Sequence, residues 1–259
     1  EHGLHVLVEK PMTLRASEAR SLVQLAEAKG AELIVGYSFN FRPYFETIRD
    51  LLRSGELGQI QYVQAVYNSD MLPFFEGKFE TEFAVHGPAQ YVKPDLLGGG
   101  HGQVQLTHAL GALFYLTDLQ PARVGALMAK HGTTLDLVDA VTVAFTGGAL
   151  GSIGGTGNQE GLLFRLVINC ERGWIDIDAG ARRATVHPRE AEPTEIIGKF
   201  KGSAVNLPAE NLVAVASGDA KNSSPANGGW RAVEVLEAAY LSAEQNGVFI
   251  NVKELYENY

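Results

Sequence analysis

The sequence predicts an α+β fold: a large open, mainly antiparallel sheet with helices on one face, preceded by the remnant of a layered α/β unit. Three observations carry this expectation. The chain alternates strand and helix as far as Arg53, residues 122–187 hold strand-like runs in close succession, and a long helix with an apolar face closes the chain.

The elements follow in order. Residues 4–8 form a short apolar strand that ends in Glu9-Lys10-Pro11: an acid, a base and a rigid turn whose Lys-Pro bond can adopt the cis form at modest cost. Ala19, Leu22, Val23 and Ala26 then recur at helical spacing, and Gly30 stops that helix. Residues 32–36 make another strand. Residues 42–53 make a helix with Phe45, Ile48, Leu51 and Leu52 on one face and Gly55 at its end. After Gly58 the rhythm changes. Residues 60–67 alternate as a half-buried strand, whereas 68–97 show little periodicity and hold Met71, Pro73, Phe74, Phe75, Pro88 and Pro94, a pattern expected of a packed functional loop. Gly98-Gly99-Gly100 opens an apolar helix running to about Thr117. Strands are expected at 124–128, 140–145, 150–154, 164–169, 174–177 and 184–187, with Gly147-Gly148 turning the hairpin between the second and third. A polar segment with Pro193 and Pro208 precedes a helix at 210–217. Gly228-Gly229 leads into the last long helix, 230–244, with Val233, Leu236, Ala239 and Tyr240 in register.

The 259 residues are 46% hydrophobic and 20% charged, an ordinary globular composition with ample core material. A net charge of −9 with no Lys/Arg cluster argues against nucleic acid or an anionic membrane as partner. The lone Cys170 excludes an intrachain disulfide framework, suits a reducing compartment and lies in an apolar run as a buried structural thiol. No apolar run approaches the ~20 residues of a membrane span. A cytoplasmic location is expected, in keeping with the reducing compartment that a lone cysteine suits.

Four segments bear on chemistry. No glycine cluster matches G-x-G-x-x-G or the P-loop pattern, so the sequence encodes no phosphate cradle. Lys10 lies just beyond the carboxyl end of a strand, where open α/β sheets bind ligands, and could donate a proton or hydrogen bond to a reacting oxygen; a solvent-exposed turn lysine is the plainer alternative. His101 and His108 are seven apart and would share one helix face, where a neutral histidine can take a proton from a hydroxyl or sit as a satisfied core residue. With no H-x-x-x-H and one cysteine, no metal site is expected. Asn40 and Arg42, in Tyr37-Ser38-Phe39-Asn40-Phe41-Arg42-Pro43, could bind an amide, hydroxyl or phosphate at a helix start, or could cap that helix and sit at the surface.

The combination is more specific than its parts. Glu9-Lys10-Pro11 behind a strand, Gly36-Tyr37 with Phe41 and Pro43, Ser54-Gly55-Glu56-Leu57-Gly58-Gln59-Ile60, the triple glycine with His108, and the ending Asn222-Ser223-Ser224-Pro225 through Gly228, Arg231, Ala232 and Glu234 occur in this order. Together they resemble the Gfo/Idh/MocA family of NAD(P)-dependent oxidoreductases, whose members act mostly on sugars, inositols and related polyols. The resemblance runs from Val6 to about Tyr256. It implies an N-terminal Rossmann domain, of which 1–36 would be the closing remnant, and an α+β substrate-binding and oligomerisation domain at 37–259. On the order of 100 residues, most of a domain, would then precede the chain. It further implies that Lys10 lies near nicotinamide and substrate, with Glu9, Pro11, Asn40 and Arg42 on the cofactor side, and that His108 transfers the proton. Tyr37, His101, Gln103, Val104 and Gln105 would face the substrate. Two departures stand out: Val104 occupies a position where the family often has aspartate, and Asn40-Phe41 replaces the usual Arg-Phe.

The expected function is therefore NAD- or NADP-dependent hydride transfer on a polyol-like small molecule, in a homo-oligomer (dimer or tetramer) formed through the large sheet. His108 would be general acid/base and Lys10 would orient the reacting oxygen. An inert binding, oligomerisation or sensor module derived from that family is the alternative.

Overall fold

In a computed structural model that describes residues 3–78, 93–198 and 206–257, the chain builds two sheets. β1 (Val6–Val8) and β2 (Leu33–Val35) pair in parallel, joined by α1 (Ala16–Lys29). Gly30 closes α1 in the left-handed conformation, its N–H returning to the Ala26 and Glu27 carbonyls. α2 (Pro43–Ser54) follows, with Pro43 at its first turn and Gly55 as its left-handed end.

The second sheet takes β3 (Ile60–Asp70), β4 (Pro121–Ala129), β5 (Val138–Phe145), β6 (Leu150–Thr156), β7 (Asn158–Cys170), β8 (Gly173–Asp178), β9 (Arg183–Pro188), β10 (Thr194–Ile197) and β11 (Ile250–Asn251). Their order is β10-β9-β8-β7-β3-β6-β5-β4-β11, and every neighbouring pair is antiparallel except β3–β6. The parallel pair arises because β3 is inserted between the adjacent strands β6 and β7. Gly147 and Gly148 both sit at positive φ in the turn joining β5 to β6, a conformation that costs glycine little.

One face of this sheet is the core. Val63, Ala65 and Tyr67 of β3, Phe164, Leu166 and Ile168 of β7, and Val141 and Val143 of β5 alternate with exposed or half-buried neighbours and point inward. They meet α2, α5 (Thr107–Leu116) and α7 (Ala226–Glu244). α5 is buried nearly all round, which its composition requires. Fully burying a side chain such as Leu110 or Leu113 is worth about 1.5–3 kcal/mol. The same core extends to Met12, Ala16 and Val35, so the N-terminal strand–helix–strand piece shares it. Ile34 also bridges to Pro225 ahead of α7.

The expected elements are found with shifted ends, and three differences have physical causes. β10 was not expected, because its four residues directly follow Pro193 and carry no clear alternation. The expected loop at 68–97 begins as strand to Asp70 and holds two short helices, α3 (Leu72–Phe75) and α4 (Pro94–Leu97). Its middle, 79–92 with Pro88, lies outside the described residues. The expected helix from the triple glycine opens with a π-helical segment, Gly102–Leu106, before α5 continues it. α6 (Leu207–Ala216) precedes α7, and a 3₁₀ turn (Val252–Tyr256) follows β11. No helix among the described residues is long and apolar enough to cross a membrane.

Candidate active site

β1 delivers Lys10 through a cis Lys10-Pro11 bond, and the lysine Nζ donates to the Val104 carbonyl at 2.8 Å. Burial pushes Lys10 down to about 8, against the opposing pull of the Glu9 carboxylate. Gly36, across the strand pair, admits that carboxylate closely: a Cβ there would stand 3.2 Å from Glu9 Oε1. Pro11 is half-buried behind the lysine.

His108, in the first turn of α5, stands in a cage of rings. Tyr67 stacks on it with centroids 5.7 Å apart and planes 15° apart, while Tyr37 and Phe39 meet it edge-on at 6.4 and 6.1 Å. Burial first, and the positive charge of Lys10 second, hold the imidazole well below its usual 6.5, so it is neutral at pH 7. Its Nδ1 is buried without a hydrogen-bond partner among the described residues. Tyr37 is anchored by its hydroxyl on Thr107 Oγ1 at 3.0 Å, and burial raises its pKa to about 12. Its ring occupies the space that a Cβ on Gly111 would fill, at 2.5 Å. Lys10, Val104, His108 and Tyr37 are therefore brought together.

The remaining candidates have other partners. His101 was expected to share a helix face with His108, but the π-helical segment between them breaks the α-helical phase: the Thr107 N–H reaches the Gly102 carbonyl, five residues back. His101 instead pairs through Nδ1 with Asp139 Oδ2 at 2.7 Å, and neither side chain is exposed at all. Burial raises Asp139 to about 7, with the His101 hydrogen bond opposing it. Gln103 is buried with Oε1 unpartnered among the described residues, and Gln105 directs Nε2 at Met71 Sδ. Val104 packs its side chain against the small cluster of Met71, Phe75, Leu135 and Leu137, leaving its carbonyl for Lys10. Asn40 is tied to Ser224 Oγ at 3.0 Å. Arg42 lies 4.1 Å over the Phe39 ring and donates to the Ala179 carbonyl at 3.2 Å. Among the described residues no group of three or more His, Cys, Asp or Glu is placed to hold a metal ion.

Sequence reasoning missed Tyr67, Phe39, Asp136 and Tyr240. Tyr67 carried a usable signal, since it shares inward parity with Val63 and Ala65 along β3. Asp136 carried none, because only the β4–β5 pairing brings it to the glycine loop.

Residues 1–37 match the profile of the oxidoreductase family with an NAD-binding Rossmann fold, and residues 45–176 match that of the Gfo/Idh/MocA C-terminal domain. Among characterised relatives, the chain is 40% identical over 82 residues to dTDP-3,4-didehydro-2,6-dideoxy-alpha-D-glucose 3-reductase of Saccharopolyspora spinosa, covering 32% of this chain and 25% of that protein. It is 27% identical over 150 residues to trans-1,2-dihydrobenzene-1,2-diol dehydrogenase of Bos taurus, covering 58% of this chain and 41% of that protein. The fold matches the crystal structure of an inositol dehydrogenase homolog complexed with NAD+ from Azotobacter vinelandii, with a TM-score of 0.77 at 18% identity over 96% of this chain and 72% of that one.

Proposed function

The chain belongs to the Gfo/Idh/MocA family of oxidoreductases, and from that premise we propose that it supplies the substrate side of an NAD- or NADP-dependent enzyme that interconverts a hydroxyl and a carbonyl on a sugar, inositol or related polyol. One observation carries this reading: a neutral histidine, His108, within the field of a depressed, part-buried lysine, Lys10.

Nicotinamide, when bound, takes up or returns the hydride. The residues present fit that end of a dinucleotide: Lys10 and Gly36 stand at the carboxyl ends of β1 and β2, and His108 presents an unpartnered buried nitrogen. They do not include a phosphate cradle. In this reading His108 takes the proton of the hydroxyl being oxidised. The Lys10 ammonium donates a hydrogen bond to the reacting oxygen and stabilises negative charge there. Tyr67, Tyr37 and Phe39 hold the imidazole and keep water from it. Tyr37, Gln103 and Gln105 are the polar side chains proposed to meet the substrate. Residues 1–36 are proposed as the closing piece of the cofactor domain and 37–259 as the substrate domain. Leu4 and Val6 at β1 and Leu22 and Leu25 on α1 support the first of these, lying exposed beside a β1 that pairs only with β2 among the described residues.

The test is turnover of myo-inositol, glucose and xylose by the full-length protein with NAD+ and NADP+, and of the corresponding oxidised products in reverse. The sign of the pH dependence follows from Lys10: protonated below about 8, it can donate to a carbonyl oxygen, and above that it loses the charge. Reductive kcat/KM is expected to fall as pH rises through about 8, and the residual activity of Lys10→Arg is expected to show no such fall. Turnover of none of these compounds, or an unchanged alkaline limb in Lys10→Arg, would contradict the reading.

The open face of the large sheet supports a homo-oligomer working in the cytoplasm, where the buried Cys170 thiol stays reduced. Leu150, Tyr62 and Trp174 lie exposed in one row across the pairings β6–β3–β7–β8, and Trp174 stacks on His187 at 3.8 Å. Trp174→Asp is expected to reduce the mass seen by light scattering toward that of a single chain. An unchanged mass would remove this face from the assembly.

A further inference from the structure

The helix that carries Val104 and His108 has no cap of its own. Gly98-Gly99-Gly100 supplies no Ser, Thr, Asp or Asn side chain, yet the leading N–H groups of any helix need acceptors. They find them in residues distant in sequence. Gly100 N–H donates to Asp136 Oδ1 at 2.7 Å, His101 N–H to the Asp136 backbone carbonyl at 2.9 Å, and Gly102 N–H to Asp136 Oδ2 at 2.9 Å. Gln103 N–H donates to Tyr240 Oη at 3.2 Å, and that hydroxyl donates in turn to the Asp136 carboxylate at 3.0 and 3.1 Å. Helical bonding then begins with Val104 N–H on the Gly100 carbonyl at 2.9 Å. The Val104 carbonyl is the acceptor that holds Lys10.

We infer that Asp136, braced by Tyr240, is the positioning residue for Lys10, acting through Gly100 and the carbonyl of Val104. The inference rests on Lys10 belonging to the reactive site. Two further observations support it. The clamp leaves no room for side chains, since a Cβ on Gly102 would stand 2.7 Å from Tyr240 Oη and one on Gly99 would collide with the same hydroxyl. Asp136 is also 6% exposed, so its carboxylate is committed to these amides rather than to water. The charged neighbour that acts on Lys10 directly is Glu9, with His108 facing it from α5, so Asp136 reaches the lysine through the backbone and not by its field.

The experiment reads Lys10 itself and needs no substrate. Lys10 is acetylated with trace acetic anhydride across a pH series in the full-length protein, and its labelling is followed by mass spectrometry beside that of exposed lysines. The wild-type midpoint is expected at about 8. Asp136→Asn sets an amide NH2 against a backbone N–H, loosens the helix start and lets water reach Lys10. Its midpoint is expected to rise by about one unit, lowering the labelling rate at pH 8 about five-fold. Tyr240→Phe, which removes one hydroxyl without touching the carboxylate, is expected to shift the midpoint the same way by less, and it decides the matter if Asp136→Asn does not fold. A folded Asp136→Asn, or Tyr240→Phe in its place, with the wild-type midpoint would overturn the inference and leave the clamp a purely structural feature. A wild-type midpoint at the ordinary lysine value would instead overturn the assignment of Lys10 on which the inference rests.

Discussion

Replacing His108 with asparagine is expected to lower kcat on the protein's substrate by about 10² to 10⁴, the usual contribution of a positioned general base. That corresponds to roughly 3–5 kcal/mol of transition-state stabilisation. The argument rests on the state of the ring. Burial and the nearby Lys10 charge keep the imidazole neutral at pH 7, so it is ready to accept a proton without first losing one. Asparagine keeps a polar group of similar reach but has no basic nitrogen. KM should change less than kcat, because His108 is held by Tyr67, Tyr37 and Phe39 and the variant leaves that cage intact. Steady-state kinetics with a thermal-melt control checks this, and turnover within a few-fold of wild type would take His108 out of the chemistry.

A large loss of stability is expected from Gly100→Ala. A Cβ at this position collides with the backbone carbonyl of Asp136 and stands 2.8 Å from both its backbone nitrogen and the Leu135 Cβ. Backbone cannot swing aside as the end of a long side chain can, so the strain is relieved by moving the helix start and the β4–β5 loop apart. Overpacking of this kind costs about 1–3 kcal/mol. The displaced Gly100 and Gly102 amides lose acceptors as well, at about 1 kcal/mol or more each. A total of about 3–5 kcal/mol lowers the melting temperature by roughly 6–20 °C in a chain of this size. Gly228→Ala, in the first turn of α7, is the matched control: its Cβ would meet Phe114 at an ordinary 3.7 Å, so the melting temperature should hold or rise slightly. Equal melting temperatures for the two variants would mean that the close approach at Gly100 carries no strain.

The contrast between these glycines shows how far the sequence could be read. Periodicity identified the two-layer arrangement because the inward residues of β3, β5 and β7 alternate and α5 is mostly apolar after His108. Lys10 and His108 stood out as candidates because each accompanies a local mark, a strand-turn motif and a triple glycine. What the sequence did not convey is long-range. Ahead of and within the π-helical segment at Gly102–Leu106, Asp136 and Tyr240 take the leading amides from outside, and nothing near Gly100 announces either residue. His101 consequently faces Asp139 in the interior, where helical phase alone would have placed it beside His108. Val104 was noted as a departure in side chain, whereas its contribution is a carbonyl, a group every residue possesses.

The central claim is that Lys10 and His108 form one coupled site. The most direct measurement is a ¹⁵N NMR titration of the His108 ring in wild type and in Lys10→Met. The coupled site predicts a ring that stays neutral from pH 8 down to well below 6.5, and a rise in its pKa once the lysine charge is removed. A ring that titrates near 6.5 and ignores Lys10→Met would contradict it.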